Sequence, residues 1–251
     1  MSILENQVAI VTGGGRGLGA SISISLAKAG CNIAIATKDI DQNLFETVNS
    51  IKVTGKECIW VETDVSDPAQ TQDMAKKVYD KFRKIDILVN NAAVYFGLQR
   101  KKFHEISPRE WDLVMSVNVK GTWLSSCAVF PYMKENNSGR IINIASEVFF
   151  TGSHGFPHYV ASKGAVIGLT RALAAELGPF NICVNAVAPG FLDTEASRTI
   201  ADVERYDTSK TPLRRIGTPQ DIAGLVVFLC TEEAGFITGQ TIVVDGGRYM
   251  H

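Results

Sequence analysis

The strongest constraint on this chain is a regular alternation of short apolar runs with amphipathic stretches along its 251 residues. The runs are Gln7–Thr12, Asn32–Thr37, Glu57–Glu62, Asp86–Asn90, Arg140–Ala145, Asn181–Val187 and Thr241–Asp245, rich in Val, Ile and Ala. A continuous apolar run without polar alternation is what a strand covered on both faces requires. Helical spacing fills the intervals: Leu18–Ala29, residues 41–54, a segment opened by Asp67-Pro68, Ser107 to about Lys134, His158–Leu177, and a segment opened by Thr218-Pro-Gln-Asp221. Three of the starts, Asp67-Pro68, Ser107-Pro108 and Thr218-Pro219, are marked by a capping side chain and proline at the first helical position, with a capping box at Ser107-Pro-Arg-Glu110. Strands separated by helices predict one α/β domain over 1–251, a doubly wound, seven-stranded parallel sheet with right-handed crossovers and helices on both faces. Residues 190–217 fit no such unit; a polar excursion of that length reads as a substrate lid or as a plain surface insertion.

Charge and cysteine usage exclude several roles. With 25 Lys+Arg against 26 Asp+Glu and no basic run, nothing follows a nucleic-acid backbone. No apolar stretch reaches the roughly 18 residues expected of a membrane span. The opening residues Met1–Asn6 carry neither a basic nor an apolar leader region, so the expected compartment is cytoplasmic. Five scattered cysteines, without a Cys-x-x-Cys pair, and four dispersed histidines predict neither disulfide nor metal site.

The chemistry concentrates at strand ends. Thr12-Gly-Gly-Gly-Arg-Gly-Leu-Gly19 joins the first strand to the first helix. Glycines there let the backbone approach a pyrophosphate over the helix N-terminus, although turns collect glycines anyway. Tyr159 and Lys163 stand one helical turn apart, so the phenol and ammonium share a face. An ammonium near a tyrosine brings the phenol toward a useful acid–base range, but such a pair alone is usually a solvated helix face. Ser146 ends the fifth strand and Asn90-Asn91 the fourth, where open α/β sheets place ligand groups. Asn118, flanked by valines inside a long helix, is either a satisfied core group or part of a buried relay.

These marks together resemble the short-chain dehydrogenases/reductases, in their form of about 250 residues, over nearly the whole chain. The resemblance rests on Thr12-Gly-x-x-x-Gly17-x-Gly19, Asp64-Val65, Asn90-Asn91-Ala92, Asn118, Ser146, Tyr159-x-x-x-Lys163, Pro189-Gly190 with Thr194, and Gly239-Gln through Asp245-Gly-Gly. It implies a Rossmann-like fold and an NAD(P)-dependent enzyme that interconverts a secondary alcohol and a ketone, or an aldehyde and an alcohol, by hydride transfer. On that likeness Tyr159 is the general acid/base, Ser146 polarises the substrate oxygen, Lys163 lowers the tyrosine pKa and holds the nicotinamide ribose, and Asn118 positions a relay water. Gly13, Gly17 and Gly19, with Arg16 and Leu18 in the same turn, cradle the pyrophosphate. Asp64 and Val65 meet the adenine, Asn91 and Ala92 line the cleft, and Pro189, Gly190, Leu192 and Thr194 border the nicotinamide. One departure is Ala93, where the family usually has glycine; a small backbone adjustment is expected there. A homotetramer is also implied, with Ala161, Ala165, Ala172 and Ala175 permitting close helix approach and the end Arg248–His251 reaching a neighbour.

Cofactor choice turns on the end of the second strand. Thr37 occupies the position where NAD-selecting members carry an acid, and Lys38 follows, with Arg16 nearby. Two cations and a hydroxyl suit the 2′-phosphate of NADP(H). NAD(H) remains open, because Asp39 is placed to swing toward a ribose. Val94–Phe96, Glu147–Phe150, His154, Phe156, Phe191 and Leu192 predict a cyclic or aryl-bearing small-molecule substrate, although Phe149 and Phe150 serve equally well as packing residues. Arg214 and Arg215 are placed to meet an anion or face solvent, and His158 points away from Tyr159 around the helix. The alternatives are a 3-oxoacyl-thioester (acyl carrier protein) reductase and a non-catalytic cofactor-binding protein.

Overall fold

The computed structural model describes residues 3–250. Its strands are β1 (Val8–Thr12), β2 (Asn32–Thr37), β3 (Cys58–Glu62), β4 (Ile87–Asn90), β5 (Gly139–Ile144), β6 (Ile182–Pro189) and β7 (Thr241–Val244). They form one seven-stranded sheet in the order β3-β2-β1-β4-β5-β6-β7, and every pairing is parallel. The helices are α1 (Gly17–Lys28), α2 (Gln42–Val53), α3 (Pro68–Phe82), α4 (Pro108–Met115), α5 (Gly121–Glu135), α6 (Val148–Thr151), α7 (Pro157–Leu177), α8 (Glu195–Arg198) and α9 (Pro219–Leu229).

Successive strand residues face opposite sides, which explains why the runs are apolar throughout. Ala9, Val11, Ile33, Ile35 and Val89 pack under Ile22, Leu26, Leu44 and Val226 of α1, α2 and α9. Val8, Ile10, Leu88, Ile141 and Val184 meet Met74, Val78, Val129 and Met133 of α3 and α5. Strand order reverses between β1 and β4, and a crevice opens there at the carboxyl ends of the strands, where such sheets bind ligands.

Three features depart from the expected elements. The helix expected from Ser107 to Lys134 is interrupted by a π-helical turn at Ser116–Lys120, closed by Gly121 N–H donating to the Ser116 carbonyl. The short helices α6 and α8 were not foreseen. By length and composition the continuous stretch Pro108–Glu135 is also apolar enough to cross a membrane, against expectation; half of its apolar window is buried inside the domain, where α5 packs on α3.

The excursion at 190–217 is pinned at its base. Gly217 N–H donates to the Phe191 carbonyl at 3.0 Å and Asp193 N–H to the Gly217 carbonyl at 2.9 Å. Its outer part thus begins and ends at one point beside β6. Of the terminal segment expected to reach a neighbour, His251 lies outside the described residues.

Candidate active site

The glycine turn is shaped by contacts that exclude side chains. Gly13 and Gly17 have φ of +61° and +53°, and a Cβ on Gly19 would lie 2.1 Å from the Gly13 carbonyl oxygen. Thr47 Oγ1 donates to the Gly15 carbonyl at 2.9 Å, and Ser23 Oγ to the Gly19 carbonyl at 2.9 Å. Asn91 Nδ2 donates to the carbonyls of Thr12 and Gly13, both at 3.0 Å, while its N–H and that of Ala92 donate to Thr12 Oγ1. Asn91 therefore braces the turn with its side chain as well as lining the cleft. Ala93 lies outside the left-handed region, so the alanine fits where the family has glycine.

Helix α1 begins at Arg16 without a side-chain cap and without an acid in its first turn, whereas Asp41, Asp67 and Ser107 cap α2, α3 and α4. Free N–H groups and a positive dipole end over a glycine cradle suit a pyrophosphate. Beside the end of β2, Arg16 Nη2 meets Asp39 Oδ2 at 2.8 Å and Lys38 Nζ meets Asp64 Oδ2 at 2.7 Å. The Lys38 ammonium, followed by the Ser66 hydroxyl, pulls the Asp64 carboxyl down to about 2. Both cations expected to read a phosphate are thus already partnered by carboxylates. Val65 packs against Gly121, where a Cβ would come within 2.7 Å of Val65 Cγ2.

Ser146, Tyr159 and Lys163 come together on the wall formed by β5 and α7. Tyr159 is 9% exposed and Lys163 3%. Lys163 Nζ donates to the Ile144 carbonyl at 2.7 Å and lies 5.5 Å from the Tyr159 ring centre. Burial brings the ammonium down to about 8. Burial, with Tyr95 adding to it, pushes the phenol above its ordinary value, and a hydrogen bond with Ser146 opposes the rise. The Lys163 ammonium, 5.5 Å from the ring centre, does not offset this rise, and desolvation is the larger influence on the phenol.

Asn118 occupies the π-helical turn. Its Oδ1 accepts from Val94 N–H at 2.7 Å and its Nδ2 donates to Ser162 Oγ at 3.1 Å, which donates in turn to the Tyr159 carbonyl at 2.8 Å. Both side-chain groups tie the loop after β4 to α7. Its backbone carbonyl accepts from Thr122 Oγ1 at 2.8 Å.

Gly13, Arg16, Gly17, Gly19, Lys38, Asp64, Val65, Asn91, Ser146, Tyr159 and Lys163 line one cleft of about 510 Å³ that also takes in Leu18, Thr37, Ala92, Pro189, Gly190, Leu192 and Thr194, whereas Asn118 is buried and outside the lining. Thr194 Oγ1 caps α8 by accepting from Ser197 N–H at 3.1 Å. Tyr95, Phe156 and Phe191 contribute aromatic rings to the same lining. Phe149, Phe150 and His154 do not line it: Phe150 stacks on Tyr249, and the His154 carbonyl accepts from Arg100. Arg214 bonds to the Ser209 carbonyl and Arg215 forms a two-point pair with Asp221, so neither faces the main cleft. Sequence reasoning missed Arg100 and Tyr206, both in the lining. Tyr206 stacks on Phe191 with ring centres 4.1 Å apart, a pairing no local spacing announces.

Comparison with known proteins agrees with this geometry. A family model described as enoyl-(acyl carrier protein) reductase matches residues 13–249. The chain is 38% identical over 250 residues to a (2S)-((R)-hydroxy(phenyl)methyl)succinyl-CoA dehydrogenase subunit of Thauera aromatica, covering 98% of each chain. It is also 38% identical to a 3-oxoacyl-(acyl-carrier-protein) reductase of Staphylococcus epidermidis, covering 98% of this chain and 100% of that one. A crystal structure of a short-chain type dehydrogenase/reductase from Mycobacterium marinum superposes with a TM-score of 0.93 at 30% identity, covering 99% of this chain and 97% of that one. The chain belongs to the short-chain dehydrogenase/reductase family of oxidoreductases, whose members generally use NAD(P)(H).

Proposed function

We propose that this protein is an NAD(P)-dependent alcohol dehydrogenase or ketoreductase acting on a cyclic or aryl-bearing small molecule. The observation that carries the reading is the convergence of Ser146, Tyr159 and Lys163 on one buried wall of a cleft whose other end is a glycine cradle below an uncapped helix. A bound nicotinamide cofactor supplies the two-electron exchange with the substrate carbon. Gly13, Gly17 and Gly19 hold its pyrophosphate together with the first N–H groups of α1. Asp64 and Val65 flank the adenine, and Pro189, Gly190, Leu192 and Thr194 flank the nicotinamide end.

The protein handles the proton. Ser146 donates to the substrate oxygen and Tyr159 exchanges a proton with it. A neutral, strongly buried phenol is a poor acid until a charge stands beside it. Lys163, on the same face of α7 and 5.5 Å from the Tyr159 ring centre, would supply that charge and would hold the ribose of the cofactor. Asn118 acts as a positioning residue through Ser162 and Val94; a relay water would share its carbonyl with Thr122 rather than use its side chain.

We favour NADP(H) over NAD(H). Arg16 and Lys38 are held at the adenosine end by Asp39 and Asp64, exposed pairs that a doubly charged phosphate can displace at low cost. A second reading, reduction of 3-oxoacyl thioesters, draws on the Staphylococcus relative. Assay of cyclic and aryl alcohols and of a 3-oxoacyl thioester with both cofactors tests these readings together. Cyclic alcohols with NADP+ should give the highest kcat/KM. Tyr159→Phe should lower kcat by on the order of 10²- to 10⁴-fold, with cofactor affinity retained. Turnover that survives Tyr159→Phe overturns the mechanism, and a clear NAD preference overturns the cofactor assignment. In this reading the enzyme works in the cytoplasm as a homotetramer.

A further inference from the structure

Arg100 lines the cleft and is exposed, so it stands at the open edge, and nothing in the chemistry above uses it. Its stem packs on Gly155, whose φ is +85° and where a Cβ would lie 3.0 Å from Arg100 Cβ. Its Nη1 donates to the His154 carbonyl at 2.7 Å, and the guanidinium carbon lies 4.8 Å from the centre of the Phe156 ring. The adjoining backbone is tied down as well, Lys101 N–H donating to the Gly155 carbonyl at 3.2 Å. Three successive residues, His154 to Phe156, therefore hold the guanidinium in one place. Phe156 packs in one cluster with Tyr95 and Tyr159, whose ring centres are 5.3 Å apart. The guanidinium is thus about one aromatic layer from the phenol of Tyr159. Burial raises the phenols of Tyr95 and Tyr206, and the Arg100 charge opposes that rise in both. Arg16, the other arginine of the lining, pairs with Asp39, but Arg100 forms no ion pair among the described residues. Of the lining carboxylates, Asp39 and Asp64 are paired elsewhere, Glu147 is buried, and Glu195 of α8 forms no ion pair among the described residues.

We propose that Arg100 is a specificity-determining residue that binds a carboxylate on the substrate, remote from the carbinol, making the substrate class an aryl or cyclic hydroxy acid and its keto acid. The inference rests on the reading of this cleft as a site of alcohol–ketone interconversion on such a body. A guanidinium is always charged and carries five N–H donors, of which the His154 carbonyl takes one. The others are left for a ligand, and a carboxylate accepts them in charge-assisted bonds. One unpaired cation balances a monoanion, whereas a phosphate dianion would call for a second cation beside it. The aryl body would lie along Tyr95 and Phe156 while its hydroxyl meets Ser146 and Tyr159, all of them in the same lining. Because the side chain is already held by Gly155, His154 and Phe156, binding would cost little further ordering. Its exposure sets the scale of discrimination: a neutral group leaves the guanidinium to water, so the preference for the anion is moderate.

Calorimetry tests this on the protein saturated with reduced cofactor, where neither probe can be oxidised. The probes are 4-(1-hydroxyethyl)benzoate and 4-(1-hydroxyethyl)benzamide, which share a shape and differ in charge. At low ionic strength the benzoate should bind on the order of 10-fold more tightly, and added salt should narrow the gap. Arg100→Gln should bring the ratio close to one, while Arg100→Lys, which keeps the charge, should retain part of it. Lys52→Gln, which removes an exposed cation of α2 outside the cleft, should leave the ratio unchanged. Equal binding of the two probes by the wild-type protein overturns the proposal, as does a ratio unchanged in a folded Arg100→Gln or lost equally in Lys52→Gln. Failure of both probes to bind overturns it together with the aryl substrate. Because the readout needs no turnover, a protein that prefers the benzoate but oxidises neither probe would count against the proposed reaction and not against Arg100.

Discussion

At the scale of single residues, the proposed catalytic wall holds two titratable groups that burial drives toward their neutral forms. The phenol of Tyr159 goes up and the ammonium of Lys163 comes down to about 8. For Lys163 the linkage has a definite sign. Between about 8 and its ordinary 10.5 the unfolded chain binds more protons than the folded one, so stability rises with pH across that window. Below about 8 the full cost of the buried charge is present, roughly 3 kcal/mol as an upper bound. Lys163→Met should therefore raise Tm of the cofactor-free protein by several degrees at pH 7 while abolishing turnover. The Tm advantage over wild type should shrink as pH rises from 8 to 10. Thermal melts of both proteins over that range check the sign; a constant gap would mean that the charge is not what burial penalises.

Elements place these residues, and here the legibility of the sequence divides. The strands were readable because both faces are covered, so Ala9 and Ile10 are equally apolar though they enter different cores. The candidate site residues at strand ends were readable because open α/β sheets place ligand groups at the carboxyl ends of their strands. The π-helical turn at Ser116–Lys120 was not, because it answers a tertiary demand: it sets Asn118 where one side chain reaches both Val94 and Ser162. Nor were the partners of Lys38 and Arg16 visible, since Asp64 lies on another strand's loop and Asp39 beyond β2. Phe149 and Phe150, which the sequence leaves open between pocket and packing roles, lie outside the lining, and Arg100 and Tyr206 arrive from loops without periodicity. The sharpest element-scale prediction concerns the start of α1. A methyl on Gly19 would sit 2.1 Å from the Gly13 carbonyl and 2.6 Å from Asn91 Nδ2, so Gly19→Ala must push the helix off the cradle. Overpacking of this kind costs on the order of 1–3 kcal/mol, and the N–H groups that would hold a pyrophosphate shift with it. Cofactor affinity measured by calorimetry should fall at least tenfold, with a lower Tm; unchanged affinity would show that this turn does not hold the cofactor.

For the whole molecule, α7 presents a stripe of small residues on the side away from Tyr159. Ala161, Gly168, Ala172 and Ala175 are exposed and Ala165 is half-buried, at the three- and four-residue spacing that puts them on one face. Trp123 of α5 is also unusually open for so large a side chain, at 47%. Small residues on a helix allow a second helix to approach closely. They fit the homotetramer that the family resemblance implies, in which α5 and α7 pair across two-fold axes, an arrangement that closes without leaving a free patch. The catalytic wall lies on the opposite side of α7, so association would stiffen the helix that carries Tyr159 and Lys163 without covering the cleft. Sedimentation at micromolar concentration should give four copies. Ala172→Arg, which places a charge and a long side chain in the middle of the stripe, should give dimers or monomers with the same circular dichroism spectrum. A wild-type protein that sediments as a monomer, or an Ala172→Arg variant that remains tetrameric, would remove α7 from the interface and leave its small-residue face to be explained by packing within the chain.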